Sequence, residues 1–209
     1  MAHALELARG RLGKVAPNPA VGCLIVQRGR VVGEGATGIG GRPHAEEIAI
    51  EAAGSLAEGA TAYVTLEPCS ARSSGARPCA RRLIEAGVVR VVVACEDPNP
   101  PAAHGVSHLG AAGIEVTFGV LQAEAEALNA GFFKRVATGR PLLALDADAS
   151  LYDAAFDLKQ GETFEAALDR LGATGMTRVY ALPGTALAAH LRACGLVDVS
   201  AQAATPRRQ

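Results

Sequence analysis

Apolar residues at Ala4, Leu5, Ala8 and Leu12 recur at a helical spacing and predict a helix over residues 2–12, stopped by Pro17-Asn18-Pro19. Residues 21–26 form a short apolar run rich in β-branched side chains, the mark of a strand. Arg28-Gly29 makes a turn and Val31-Val32 opens a second strand, so the pair predicts a hairpin. Residues 33–41 read as a glycine-rich loop. A helix is expected from His44 to residue 52, a strand over 62–66, an irregular segment through Pro78, and a helix over 79–86 that Gly87 ends. The run 88–94, apolar but for Arg90, predicts a strand buried on both faces. A proline-rich loop at 97–101 precedes a helix over 106–112, a strand over 114–118 and one helix over 124–136. This alternation predicts a three-layer α/β domain over residues 1–140, with a sheet that the opening hairpin makes mixed.

The pattern weakens after Arg140-Pro141. Residues 142–145 suit a strand, 146–160 show no period, and 165–171, 178–182 and 187–193 read as helix, strand and helix. So few elements do not easily bury a core. Residues 141–209 are therefore expected to be an appendage packed on the main domain, with a frayed tail at 206–209.

Composition narrows the functional classes. The 209 residues suit one domain, or one and a fragment. Hydrophobic residues are 49% but aromatics only 4%, so small aliphatic side chains must fill the core. A net charge of -1 gives no reason to expect a nucleic acid as partner. The first residues do not resemble a signal peptide, and no apolar run approaches the roughly 18 residues of a membrane span. Five cysteines in such a chain suit a reducing cytosol, hence a cytoplasmic location.

The cysteines differ in setting. Cys23 and Cys95 sit in apolar, strand-like runs and read as small core residues. Cys194 is expected to be a buried or half-buried thiol without a chemical role. Cys69 and Cys79 flank the irregular segment instead. His44-Ala45-Glu46 lies at a predicted helix start, Glu67-Pro68-Cys69 follows a predicted strand, and Pro78-Cys79 opens the next helix. This is the order of ligands described for zinc deaminases. Three protein ligands, one imidazole and two thiolates, leave zinc a fourth position for water. A carboxylate that is not a ligand must then carry protons, and Glu46 is placed for it. The positive ends of helices near residues 44 and 79 favour the thiolate form.

His-x-Glu or Pro-Cys alone says little; in this order, at strand–helix junctions, they say much. The spacing departs from the generic signature, which has two residues between the cysteines where this chain has nine, 70 to 78. The departure points to a family. Pro17-Asn18-Pro19-Ala20-Val21-Gly22-Cys23, Gly40-Gly41-Arg42-Pro43-His44-Ala45-Glu46, Val64-Thr65-Leu66-Glu67-Pro68-Cys69-Ser70 and Asp97-Pro98-Asn99-Pro100 resemble the pyrimidine deaminases of riboflavin biosynthesis, members of the cytidine deaminase-like superfamily. The resemblance covers about residues 1–145. It implies a cytidine deaminase-like fold, Zn2+ held by His44, Cys69 and Cys79, proton transfer by Glu46, and substrate contacts from Asn18 and Asn99. The implied substrate is diaminohydroxyphosphoribosylaminopyrimidine, and the implied state is a homodimer or homotetramer.

Where that family usually has histidines, this chain has Thr37 and Ala71, positions near the ribose phosphate in the family. Arg72 and Arg77 are the candidates to compensate, since arginine suits phosphate; the plainer alternative is that they are surface arginines. The C-terminal segment resembles, in pieces, the family's NADPH-dependent reductase domain. Residues 139–151 look like its opening strand and 179–199 like a stretch near its end. Asp146 stands where a lysine is expected and Tyr152-Asp153 where Asp-Gly is expected. A degenerate α/β remnant without reductase activity is the expectation.

Gly33-Glu34-Gly35-Ala36-Thr37-Gly38 matches the dinucleotide fingerprint, but no helix opens at its last glycine, so no nucleotide cofactor is expected. These glycines are expected to let the loop approach the substrate pocket. His3, His104, His108 and His190 lack ligand spacing and read as surface or capping residues, and Arg81-Arg82 as a solvated helix face. Two competing functions remain: a deaminase of another base (guanine, cytosine or tRNA adenosine), or a non-catalytic zinc-binding assembly protein. The tRNA reading wants a basic surface that the charge balance denies. A structural zinc wants a fourth protein ligand and has no use for Glu46.

Overall fold

In the computed structural model, which describes residues 1–72 and 74–200, the tail at 206–209 lies outside the described residues. The chain divides into two compact units, Met1–Asn129 and Ala130–Gln209.

The first unit opens with α1 (Ala2–Arg9), which buries Ala4, Leu5 and Ala8 as its spacing requires. The hairpin follows: β1 (Gly22–Gln27) and β2 (Arg30–Ala36) run antiparallel. Its turn residues Arg28 and Gly29 have φ of 50° and 76°, the positive values that two-residue hairpin turns use. Then come α2 (Ala45–Ala53), β3 (Thr61–Val64), α3 (Cys79–Glu85), β4 (Arg90–Val93), α4 (Gly105–Ala111), β5 (Glu115–Phe118) and α5 (Gln122–Leu128). The sheet order is β2-β1-β3-β4-β5. β1 is antiparallel to both neighbours and β3, β4 and β5 are parallel, so the sheet is mixed as expected. In β4, Val91, Val92 and Val93 are buried, the continuous burial that its apolar run announced.

Two expectations need correction. Residues 33–36 belong to β2 rather than to a loop. A Cβ on Gly33 or Gly35 would lie 2.1 Å from the carbonyl oxygen of Ala49 or Ala45, so the glycines admit α2 onto the sheet rather than a loop onto a pocket. The facing pairs Gly22↔Ala36 and Cys23↔Gly35 point to opposite faces. A Cβ on Gly22 would meet Ala4 of α1, so α1 and α2 cover opposite faces of the sheet, the outer layers of a three-layer unit. The single helix expected over 124–136 is two, α5 and α6 (Ala130–Thr138), divided at Asn129. The Asn129 side chain is buried and turns back to Ala20, accepting from its N–H and donating to its carbonyl, both at 3.0 Å.

The second unit holds α6, β6 (Leu142–Leu145), β7 (Ala154–Ala155), α7 (Phe164–Ala173), β8 (Arg178–Ala181), α8 (Ala186–Ala193) and β9 (Val199–Ser200). Its sheet order is β7-β8-β6-β9, parallel throughout. Leu143, Leu145, Leu168, Leu171, Val179 and Leu191 form a buried cluster. This corrects the expectation of an appendage without its own core. The strands β7 and β9 have two residues each, too short to show a period in the sequence, yet they complete a four-stranded sheet. Cys194, expected to be at least half-buried, is exposed: it caps the end of α8, a polar helix terminus.

Candidate active site

Three elements deliver the expected ligands. His44 is the N-cap of α2, Cys69 follows β3, and Cys79 is the first residue of α3. Glu47 fixes the first of these by accepting the His44 N–H at 2.9 Å. The Cys79 N–H, free at a helix start, donates to Cys69 Sγ at 3.2 Å. The ligand atoms of His44, Cys69 and Cys79 all lie within 4.8 Å of one another. His44 Nδ1 is 3.3 Å from Cys79 Sγ and 3.8 Å from Cys69 Sγ. Zinc–sulfur and zinc–nitrogen bonds of about 2.3 and 2.0 Å place tetrahedral donors roughly 3.5 Å apart. The donor set fits zinc in chemistry and in spacing. Both thiols are free and buried.

Electrostatics separate the two thiols. The Cys69 thiol is brought down to about 3, chiefly by the hydrogen bond from Cys79, with further donation from His44, the Cys79 N–H and Arg72 outweighing burial. Cys79, the donor of that pair and itself buried, is held well up. Glu46 is buried, within hydrogen-bonding reach of Cys79, and its carboxyl is raised above the ordinary value by burial. Of two adjacent acids on α2, Glu46 is the buried one and Glu47 is spent on the helix cap and on arginines. The guanidinium of Arg42 contacts His44 Nε2.

The loops around this cluster are tied by side chains to which the sequence assigned no role. Glu67, buried, accepts from the backbone N–H of Val106 at 3.0 Å and of Asp97 at 3.4 Å, joining the segment before Cys69 to the start of α4 and to the loop after β4. Thr65 Oγ1 accepts the Gly22 N–H at 3.0 Å. Asp97 is raised to about 6, mainly by burial and also by the charge of Glu67. The positional signal for Glu67 is its place in Glu67-Pro68-Cys69; for Asn129 there was none, because its partner lies 109 residues away.

The expected substrate residues separate. Asn18 lies against Gly41, where a Cβ would come within 1.9 Å of its amide nitrogen; with φ at +90°, that position requires glycine twice over. Asn99 sits on an Asx turn, its N–H donating to Asp97 Oδ1 at 2.9 Å. Thr37 is buried, and its hydroxyl accepts from Val21 N–H at 2.9 Å and donates to the Pro19 carbonyl at 3.1 Å. It pins the Pro17–Pro19 turn to β2. Arg72 turns inward to Glu47 and Cys79. Arg77 is 60% exposed and pairs with Glu85. Arg81 also pairs with Glu85, but Arg82 reaches Glu47 and is only 33% exposed, so the pair is less solvated than expected.

Comparison with known proteins matches this geometry. Residues 1–95 fit the model of the cytidine and deoxycytidylate deaminase zinc-binding region, which defines the class of the first unit. The riboflavin biosynthesis protein RibD of Escherichia coli is 53% identical over 153 residues, 72% of this chain and 41% of that protein. The diaminohydroxyphosphoribosylamino-pyrimidine deaminase of Buchnera aphidicola is 45% identical over 142 residues, 68% of this chain and 96% of that protein. Among solved structures, the bifunctional deaminase/reductase of Thermotoga maritima superposes with a TM-score of 0.82 at 26% identity, over 95% of this chain and 84% of that one. The chain belongs to the family of riboflavin-biosynthesis pyrimidine deaminases, with a zinc-binding site of the cytidine deaminase type. It spans 41% of the length of its E. coli relative.

Proposed function

We propose that this chain hydrolyses the amino group from diaminohydroxyphosphoribosylaminopyrimidine, releasing ammonia, as a step of riboflavin biosynthesis. The observation that carries the reading is a buried carboxylate, Glu46, beside a His–Cys–Cys cluster with one ligand position to spare. The named activity of the Buchnera relative, of which the match covers 96%, supports the choice of substrate.

His44, Cys69 and Cys79 would hold zinc. When bound, zinc would lower the pKa of a water molecule at the site to about 7. Glu46 takes the proton from that water and gives it to the ring nitrogen next to the carbon under attack, then takes the proton of the added hydroxyl and gives it to the amine, which leaves as ammonia while the C=O bond forms. Burial keeps its carboxyl away from bulk solvent, so the proton it takes goes to the ring. Asn18 and Asn99 orient the ring in this reading. Thr37 contributes by fixing the turn that carries Asn18, since its own hydroxyl is engaged. Arg77 is the basic side chain of the insert left at the surface to meet a phosphate.

The second unit performs no hydride transfer in this reading. Asp146, in the place of the family's lysine, accepts from the Tyr152 hydroxyl at 2.7 Å and the Asp148 N–H at 3.0 Å. The protein acts in the cytoplasm, where its thiols stay reduced, and works as a homodimer or homotetramer, which light scattering would measure. No helix among the described residues is long and apolar enough to cross a membrane.

The test is ammonia release by zinc-loaded protein from the phosphorylated pyrimidine, its dephosphorylated form and guanine, with and without NADPH. Release from the phosphorylated compound alone, its product left unreduced by NADPH, is expected. Release only from the others would keep the metal chemistry and overturn the pathway.

A further inference from the structure

Arg72 lies in the segment between the two cysteines, yet its side chain is only 3% exposed. Its Nη2 is 2.8 Å from Glu47 Oε1 and donates to Cys79 Sγ at 3.1 Å. The same carboxylate accepts the backbone N–H of His44 through Oε1 and pairs with Arg82 through Oε2, both at 2.9 Å. One acid thus joins two arginines to the backbone of the first ligand, and one arginine joins that acid to the sulfur of the third. A guanidinium so far from water is tolerated only where negative partners surround it. Both contacts come from the single nitrogen Nη2, while the buried Nε has no hydrogen-bond partner among the described residues. The arrangement has the form of an outer layer that aims metal ligands and sets their donor strength.

We propose that Arg72 is a positioning residue of the metal centre, orienting the Cys79 sulfur and withdrawing electron density from it, so that a bound ion keeps more of its positive charge. The proposal rests on His44, Cys69 and Cys79 being the metal ligands, and not on the identity of the substrate. It gives the arginine of this insert a target other than phosphate. Neither neighbour can replace it: Arg77 points to Glu85, and Arg82 reaches Glu47 without meeting a sulfur.

The test loads the full chain with Co2+, whose sulfur-to-metal charge-transfer band reports thiolate donor strength. In Arg72→Met, which keeps the apolar stem and loses the charge, the band is expected to move to lower energy. Metal affinity, measured against a chromophoric chelator, is expected to fall roughly 10- to 100-fold. Arg72→Lys, charged but with a shorter reach, is expected between the two, and Arg81→Ala to match the parent. A folded Arg72→Met with the parent's band and affinity overturns the proposal. If that variant does not fold, Arg72→Lys decides: an unchanged band and affinity overturn it equally. A parent chain that takes up no metal overturns the ligand assignment and this proposal together.

Discussion

In the first unit the buried polar side chains Thr37, Thr65, Glu67 and Asp97 follow the ends of β2, β3 and β4, and Glu46 lies in the first turn of α2. In the second unit, Thr177 is the buried polar side chain among the described residues, and its carboxylates sit at or near the surface against arginine and lysine: Asp169 with Arg140, Glu162 with Arg170, Asp198 with Lys134. Both units stack helices on a sheet, mixed in the first and parallel in the second. The difference lies in what is done with charge. The first unit accepts the desolvation of acids and thiols to hold reactive groups; the second places its charges where solvent and partners satisfy them.

Variants can break this contrast, beginning with the strongest. Cys69→Ala removes a ligand and the acceptor of the Cys79 N–H. Metal uptake, read by elemental analysis, and turnover are both expected to vanish. Glu46→Gln is expected to keep metal and fold while kcat falls by about 10²- to 10⁴-fold; surviving turnover would remove Glu46 from the proton path. Asp153→Ala tests the second unit in the same way. One oxygen of Asp153 accepts from Thr177 N–H, the Thr177 hydroxyl and Arg178 N–H at 2.7, 2.9 and 2.9 Å. Its loss is expected to lower stability by about 2–3 kcal/mol in a urea titration without touching metal content.

The finest test uses pH, because Asp97 of the first unit and Glu162 of the second titrate in opposite senses. Asp97 is raised from 3.8 to about 6, so its neutral form favours the fold; that contribution is full below pH 4 and is lost as pH rises through 6. Asp97→Asn is therefore expected to stabilise by about 2 kcal/mol near pH 8 and by nothing near pH 3. Glu162 is lowered from 4.5 to about 2 by Arg170, so its contribution is present above pH 4.5 and fades as pH falls toward 2. Glu162→Gln is expected to destabilise at neutral pH and to match the parent in strong acid. A common sign for both variants near pH 8 would dissolve the contrast.

Much of this was legible in the sequence, for local reasons. The elements of the first unit, the mixed sheet and the His44–Cys69–Cys79 cluster follow from period, turn residues and motif order. What escaped depends on contacts across the chain. Glycine at 33 and 35 reads as loop until α2 is known to lie against it. Asn129 reads as an ordinary helical residue until its amide finds Ala20. Two-residue strands carry no period, and without β7 and β9 the second unit has no visible core. Arg72 offers a charge that suits phosphate; only the fold shows that it faces sulfur.

Asn129 sets a practical limit on where this gene can be cut. Its amide holds Ala20, the residue that follows the Pro17-Asn18-Pro19 turn, and it is the last residue of the first unit. A fragment ending at 128 would keep every metal ligand and every strand of the sheet, yet leave two backbone groups of Ala20 unmatched beside the turn that presents Asn18. Such a fragment is expected to retain metal and to loosen the Pro17-Asn18-Pro19 turn, so a domain boundary chosen by helix ends alone would discard a contact that comes from the far end of the unit.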